Sequence, residues 1–93
     1  MNEQSLHRSH GKIVQRLKRA EGHLRTVSRM IEDQRACLEI AQQLHAVEKA
    51  VSAAKKVLIH DHIDHCLDAM APGKLTASTR SSMEEFKEIT KYL

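Results

Sequence analysis

The chain has 93 residues, 41% hydrophobic but only 2% aromatic, and a formal net charge of +3 that is compatible with a polyanionic partner. This length excludes more than one small domain, residues 1–93, and because such a domain buries only a modest part of its surface, we expect self-association to add stability. No run approaches the roughly 18 to 20 apolar residues that span a bilayer, so we expect a cytoplasmic protein with no membrane partner.

The first predicted element is a long amphipathic helix from about Ser9 to Asp33, preceded by a flexible tail over residues 1–8. Apolar residues recur along it at alternating spacings of four and three, which is the pattern of one helical face. They are Ile13, Leu17, Ala20, Leu24, Val27 and Ile31. Residues 32–36 form the predicted turn, although they include neither Gly nor Pro.

The second predicted element is one helix from about Arg35 to Met70, because no Gly or Pro interrupts residues 36–71. Its apolar face repeats the spacing of the first helix. The residues are Ile40, Leu44, Val47, Val51, Ala54 and Leu58. Pro72 and Gly73 then predict a loop over residues 71–78.

A short third helix is predicted after this loop. Ser81 and Ser82 each precede a glutamate by three residues, which is the capping-box pattern that opens a helix. Met83, Phe86 and Ile89 are expected to point inward. The sequence therefore predicts an all-α, three-helix protomer with a long central helix.

The residues best suited to chemistry lie in the stretch His-Asp-His-Ile-Asp-His-Cys, residues 60–66. Residues three or four apart share a helix face, so His62 and Cys66 can bind one ion, with His65 a further candidate. The alternative is that the histidines are solvated surface residues. The other cysteine, Cys37, precedes His62 by 25 residues, and taken alone it suits a buried apolar position.

Cys37 can reach this pair only in a dimer. Along a continuous helix, 25 residues span roughly 37 Å, so one chain cannot close the site. Two copies of the second helix packed antiparallel about an axis near Ala50 would bring the cysteine of one copy to the His62 region of the other and create two equivalent sites. Small residues around that axis would let the two backbones approach closely. They are Ala46, Ala50, Ala53 and Ala54.

Three motifs together resemble the CsoR/RcnR/FrmR family of metal-sensing repressors, the copper-sensitive operon type. They are the Arg-Leu-Lys-Arg start with the following Gly-His (16–23), the cysteine with Gln-Gln-Leu-His-Ala-Val-Glu-Lys-Ala after it (42–50), and His62-x-x-x-Cys66. The similarity covers nearly the whole chain. It implies antiparallel dimers joined into homotetramers, and a repressor that binds operator DNA until an inducer occupies a site between subunits.

The resemblance also implies the ligands, which are Cys37 from one protomer and His62 and Cys66 from the other. Two thiolates and one imidazole suit Cu(I), the first prediction. Ni(II) or Co(II) is the alternative, with His7 or His10 as an added N-terminal ligand.

Two positions bear on the choice of metal. Glu85 matches a glutamate that copper sensors of this type place beside the histidine, in a network with a tyrosine that commonly precedes the first cysteine. That tyrosine position is Ala36 here, so the network is incomplete and copper is favoured only narrowly over nickel or cobalt.

The implied DNA binding has to come from charged helix faces, because the sequence shows no DNA-recognition motif such as a helix-turn-helix. We expect a basic band on the first two helices, consisting of Arg16, Lys18, Arg19, Arg25, Lys49, Lys55 and Lys56. The best candidates are Arg16, Lys18 and Arg19, where the basic patch of the family begins. His23 and His45 are predicted to be structural or surface residues.

Other functions leave different signatures. A persulfide or thiol sensor would use Cys37 and Cys66 alone, and a metal-storage protein would have no role on DNA. A formaldehyde sensor of this family is expected to carry an N-terminal proline, whereas this chain begins Met-Asn-Glu-Gln. Nothing pairs a nucleophile with an oriented base, so we expect neither an enzyme nor a small organic substrate.

Overall fold

The computed structural model describes residues 3–69 and 77–93, and the side chains of residues 9–65, 81 and 83–93. Within these residues the chain forms three α-helices followed by a short 3-10 helix. They are α1 (Glu3–Glu32), α2 (Cys37–Ala69), α3 (Ala77–Ile89) and the 3-10 helix Thr90–Tyr92. The all-α prediction of three helices is confirmed for the described residues, and α2, with 33 residues, is only slightly longer than α1, with 30. Residues 70–76, with the predicted loop residues Pro72 and Gly73, lie outside the described residues.

The helix ends differ from the predicted ones where local signals are weak. The first helix, α1, begins at Glu3, well before the predicted start near Ser9, and the flexibility of residues 1–8 stays a prediction. The capping-box prediction is wrong, because α3 begins at Ala77 and Ser81 therefore follows a formed helical turn. A serine caps a helix only at its first turn, where backbone amides lack partners.

Gln34 closes the turn between α1 and α2 in the left-handed conformation, with φ 57°. Its amide donates to the Ile31 carbonyl at 3.1 Å, and the Arg35 amide donates to the Met30 carbonyl at 3.0 Å. These two bonds form the Schellman pattern, which satisfies carbonyls at a helix end and reverses the chain. A residue other than glycine in this conformation costs roughly 1–2 kcal/mol, so the turn predicted without Gly or Pro forms against a local preference.

The core lies between α1 and α2 and uses alternate residues of the predicted apolar faces, together with Ile59, which the predicted α2 face did not include. The buried apolar residues are Ile13, Ala20, Val27, Val47, Ala54 and Ile59. On α1 the buried residues are spaced by seven. The predicted apolar face therefore consists of two rows, and the buried residues form one of them. The second row of each predicted face is left outside the core of the single chain.

This second row is an exposed apolar surface, with each side chain 39% to 56% exposed. We call it the apolar face, consisting of Leu17, Leu24 and Ile31 of α1 and Leu44, Val51 and Leu58 of α2. Exposed apolar patches of this extent are typical of interaction surfaces. Half of the sequence pattern is therefore available for packing against another chain.

The dimensions of the single chain agree with this conclusion. The molecule extends 61 × 25 × 14 Å and exposes 7453 Å² of surface. A compact monomer of this length exposes roughly 5,500 Å². The difference, about 2,000 Å² on one chain, is more than the roughly 800 Å² that each partner buries in a standard interface and matches the more extensive interfaces of obligate oligomers.

The third helix, α3, packs against α2. Phe86 and Ile89 are half-buried, in line with prediction, whereas Met83 is 43% exposed. The prediction that Met83 points inward is wrong for the single chain. Among the described helices, none has the length and apolar character needed to cross a membrane.

Candidate metal centre

The unbroken α2 separates the two parts of the predicted metal site. Cys37 is its first residue, and His62 lies 25 residues later, roughly 37 Å away at about 1.5 Å per residue. Cys37 is exposed and has a free thiol. Within the described part of the chain, no three His, Cys, Asp or Glu side chains lie close enough together to hold a metal. A site of the predicted composition therefore needs two chains.

Cys37 lies on the same side of α2 as the apolar face. It begins a row of residues seven apart that continues through Leu44, Val51 and Leu58. Seven residues are close to two helical turns, and the row drifts by only about 20° at each step. His62 follows Leu58 by about one turn. The row that is free to meet a second chain thus carries prospective ligands near both ends.

Cys66 lies on α2 one turn after His62, so the backbone places both residues on neighbouring turns of one face. The side chain of Cys66 lies outside the described residues, as does that of His7. His10 is described and is half-buried on α1. The ligand roles of these three residues stay predictions.

Glu85 of α3 approaches the His62 ring. Its Oε1 atom lies 3.7 Å from His62 Nε2, and the His62 side chain is 23% exposed. This is a close approach rather than a formed hydrogen bond. A ligating histidine commonly presents its second ring nitrogen to a carboxylate, which fixes the tautomer and the ring orientation. Glu85 is therefore placed to orient the His62 ring from the Nε2 side.

The other histidines of the cluster have different surroundings. His65 Nε2 lies 4.0 Å from Asp61 Oδ2, one turn earlier on the same helix. That Asp61 oxygen is buried without a hydrogen-bond partner among the described residues. His60 is exposed. His65 therefore faces a carboxylate of its own helix, and its role as a further ligand stays a prediction.

All seven predicted DNA-binding residues are exposed. Arg25 forms an ion pair with Glu21 at 2.8 Å on the outer surface of α1. Arg16 and Arg19 instead line an open groove of about 190 Å³ between α1 and α2. The complete lining, which we call the basic groove, is Arg16, Arg19, Ala20, His23, Ala50 and Ala53.

The groove includes His23, which sequence reasoning assigned only a structural or surface role. His23 Nε2 lies 2.6 Å from Gln43 Oε1 of α2, so this histidine joins the two helices beside the arginines. A signal was present in the sequence, because Arg16, Arg19 and His23 are spaced by three and four and share a helix face. The contribution of α2 to the groove has no such signal.

Comparison with known proteins relates the chain to metal-responsive regulators. A family model described as metal-sensitive transcriptional repressor matches residues 9–93. The copper-sensing transcriptional repressor CsoR of Bacillus subtilis (strain 168) is 36% identical over 80 residues, which are 85% of this chain and 79% of that protein. The corresponding CsoR of Mycobacterium ulcerans (strain Agy99) is 30% identical over 79 residues, 85% of this chain and 65% of the relative, slightly under two thirds of its length.

A solved structure of another metal-responsive regulator has a similar fold. The nickel-responsive transcriptional regulator InrS superposes with a TM-score of 0.75 and 31% identity, covering 89% of this chain and 91% of that one. These relatives are transcriptional regulators rather than enzymes. The family match and these relatives show that the chain belongs to the metal-sensitive transcriptional repressors, the CsoR-type family that its motifs predicted.

Proposed function

We propose that the protein is a cytoplasmic repressor that binds operator DNA in its apo form and releases it when a transition metal binds, with Cu(I) favoured. The ligands are Cys37 of one protomer with His62 and Cys66 of the other. The observation that carries this proposal is the exposed row of α2, which has Cys37 at one end and His62 near the other.

The register of the row supports an antiparallel dimer. Two facing positions of an antiparallel pair have residue numbers with a constant sum. A pair centred on Val51 sets Leu44 of one chain against Leu58 of the other, and Cys37 against position 65, between His62 and Cys66. The axis that suits the apolar residues is thus one residue from the axis that the ligands suggested independently.

Hydrophobic burial supplies the driving force for this dimer. Burying a half-exposed apolar side chain contributes on the order of 1 kcal/mol. Two copies of the apolar face contain twelve such side chains. Their sum, on the order of 10 kcal/mol, is comparable with the free energy that association costs. We propose that two such dimers join into the tetramer that the family resemblance implies.

The donor set fits a soft metal ion. Two thiolates and one imidazole suit Cu(I), although Zn(II) accepts the same ligands. A bound ion would supply a cross-link between the two protomers. Glu85 would orient the His62 ring, and Cys37 would tie the start of one α2 to the later part of the other. Release follows if this cross-linked conformation binds DNA more weakly, and DNA then weakens metal binding by the same factor.

X-ray absorption spectroscopy of the metal-loaded protein tests the assignment. With Cu(I) we expect two sulfur ligands and one nitrogen ligand, as Cys37, Cys66 and His62 provide. Loading with Ni(II) is the comparison, since this ion takes four or more ligands and needs further donors. A copper spectrum containing only nitrogen and oxygen ligands would contradict the site.

A nickel or cobalt sensor is the second candidate, because the structural neighbour InrS is nickel-responsive. In this function His7 or His10 would add a nitrogen donor to the three shared ligands. Replacing the histidine that serves as this donor would then weaken Ni(II) binding and leave Cu(I) binding unchanged. A persulfide or thiol sensor, the remaining alternative, would keep its response when His62 is replaced.

Glu85→Gln is expected to lower metal affinity by about 10- to 100-fold, the usual effect of removing a partner that orients a ligating histidine. DNA binding by the apo protein should not change. Competition with a chromophoric Cu(I) chelator measures the affinity. Glu88→Gln is the matched control, since it makes the same change on α3 at a carboxylate that pairs with Lys91 at 3.1 Å. Equal affinities of the two variants would remove Glu85 from the site.

A further inference from the structure

Two charged residues flank the exposed row of α2 at its centre. Glu48 precedes Val51 by three residues and Lys55 follows it by four, and both charged side chains are exposed. At about 100° per residue, they lie about 60° and 40° around the helix from Val51, on the same side. The buried Val47 and Ala54 lie on the other side, where α1 packs. The packing of α1 therefore leaves both charges uncovered beside the apolar face.

Neither charge has a partner within its own helix. A helical side chain reaches residues three or four positions away. Around Glu48 none of these positions is a lysine or arginine, and around Lys55 none is an aspartate or glutamate. Arg25 and Arg35, by contrast, each pair with a glutamate four residues away at 2.8 Å. Among the described residues, the ion pairs include neither Glu48 nor Lys55. Both charges are thus available to another chain.

The proposed antiparallel register places these charges next to each other. In a pair centred on Val51, position 48 faces position 54 of the other chain, so Lys55 of that chain is only one residue further along. One residue corresponds to about 1.5 Å along the helix. A twofold axis perpendicular to the helices keeps the same flank of both helices on one side of the pair. The dimer therefore places each Glu48 beside the Lys55 of the other chain.

The same charges oppose the neighbouring registers. Because the exposed row repeats every seven residues, one helix can slide by seven positions and still set apolar residues against each other. A slide in one direction brings the two Glu48 side chains together, and a slide in the other direction brings the two Lys55 side chains together. Cys37 would then face position 58 or 72 instead of the region of His62. Repulsion of like charges thus disfavours both registers in which the proposed metal site cannot form.

We propose that Glu48 and Lys55 set the register of the dimer, by forming two ion pairs across the twofold axis through which the chain selects a second copy of itself. The inference rests on the proposed function and deepens it, because only this register brings Cys37 to His62 and Cys66 of the other chain. It gives Lys55, a member of the predicted basic band, a contact within the dimer. A related repressor that lacks either charge would lose at least one of the two pairs and bind this chain less well.

Charge reversal followed by mixing of chains tests the proposal. In Glu48→Lys each contact joins two lysines, and in Lys55→Glu each contact joins two glutamates. Each variant alone should dimerise about tenfold more weakly than the wild type, since two attractive pairs become repulsive. Mixing the two variants restores opposite charges at both contacts, so heterodimers should form in preference to homodimers. Sedimentation equilibrium measures the dissociation constants, and native mass spectrometry with one variant isotopically labelled counts the heterodimers.

Lys56→Glu is the matched control for Lys55→Glu. Lys56 is exposed beside Lys55, but it lies about 140° around α2 from Val51, away from the second chain. A mixture of Glu48→Lys with Lys56→Glu has the same net charges as the test mixture, so general attraction between the chains is equal in both. The control mixture should contain only the statistical share of heterodimers. An equal share in the two mixtures would overturn the pairing of Glu48 with Lys55.

The double variant Glu48→Lys/Lys55→Glu carries the reversed pair in one chain and should recover the wild-type dimer affinity. A double variant that dimerises as weakly as the single variants would overturn the ion pairs. Such a result leaves the proposed function standing if Val51→Asp, which tests the apolar interface itself, dissociates the dimer. A Val51→Asp protein that remains dimeric would instead refute the interface on which the proposed function rests, and the charge pairing with it.

Discussion

Replacing Cys37 by alanine is expected to abolish metal-induced release while the apo protein still binds DNA. Cys37 is exposed at the end of α2 that is remote from the basic groove, so its replacement removes a proposed ligand without disturbing the core. Metal affinity should fall by more than about 100-fold, because even an outer partner of a ligand contributes 10- to 100-fold. Anisotropy of labelled duplex DNA with added Cu(I), and in a parallel titration Ni(II), measures the response.

Mixed dimers provide the control that identifies a shared site. Homodimers of Cys37→Ala and homodimers of His62→Ala should each fail to bind metal with high affinity. When the two variants are mixed and refolded together, one of the two sites in each mixed dimer regains Cys37 from one chain and His62 from the other. Metal binding should therefore return to about half of the wild-type capacity for mixed dimers. If the mixture binds no more than the separate variants, the ligands are not shared between chains.

Val51→Asp is expected to dissociate the dimer. Val51 is 45% exposed in the single chain and lies at the proposed axis, so the substitution would place two carboxylates opposite each other in an apolar interface. Burial of unpaired charges and loss of two apolar side chains should cost about 4 kcal/mol or more, roughly a thousandfold in Kd. Sedimentation equilibrium measures the dissociation constant, and circular dichroism reports whether the helices remain.

Val57→Asp is the matched control for this substitution. Val57 is 36% exposed on the same helix, and it lies about 120° around α2 from Val51, away from the apolar face. This variant should keep the dimer. Should Val51→Asp remain as dimeric as Val57→Asp, the apolar face is not the dimer interface. Loss of the dimer should also remove high-affinity metal binding, since one chain alone cannot bring all three proposed ligands together.

The sequence predicts the helices well because their periodicity is strong. The alternating spacing located both long helices, and α2 ends within one residue of the prediction. The same spacing cannot separate the row that packs inside the chain from the row left for a partner, since both rows are apolar. Val27 is 1% exposed and Leu24 is 47% exposed, although both fit the pattern equally well.

Local signals failed where longer-range preferences outweighed them. A capping serine contributes about 1 kcal/mol, yet α3 begins at Ala77, one turn before Ser81. Similarly, Gln34 adopts a conformation that its own residue type disfavours, because the packing of α1 on α2 requires the chain to reverse there.

The candidate site was only partly accessible from sequence. An unbroken helix is enough to separate Cys37 from His62, so the need for two chains follows from counting residues. The approach of Glu85 to His62 was expected only from the family resemblance. The basic groove was missed as a unit, because half of its lining comes from alanines and a neighbouring helix, and these carry no chemical signature of their own.

If the ligands are shared between two chains as proposed, the continuity of α2 makes the cellular concentration of the protein a second determinant of its metal response. A single protomer has Cys37 and His62 at opposite ends of one helix, so it cannot form the proposed metal site. When protomers are scarce, the number of competent sensors grows with the square of their concentration. A cell that dilutes this repressor would therefore lose its metal response without altering a single ligand.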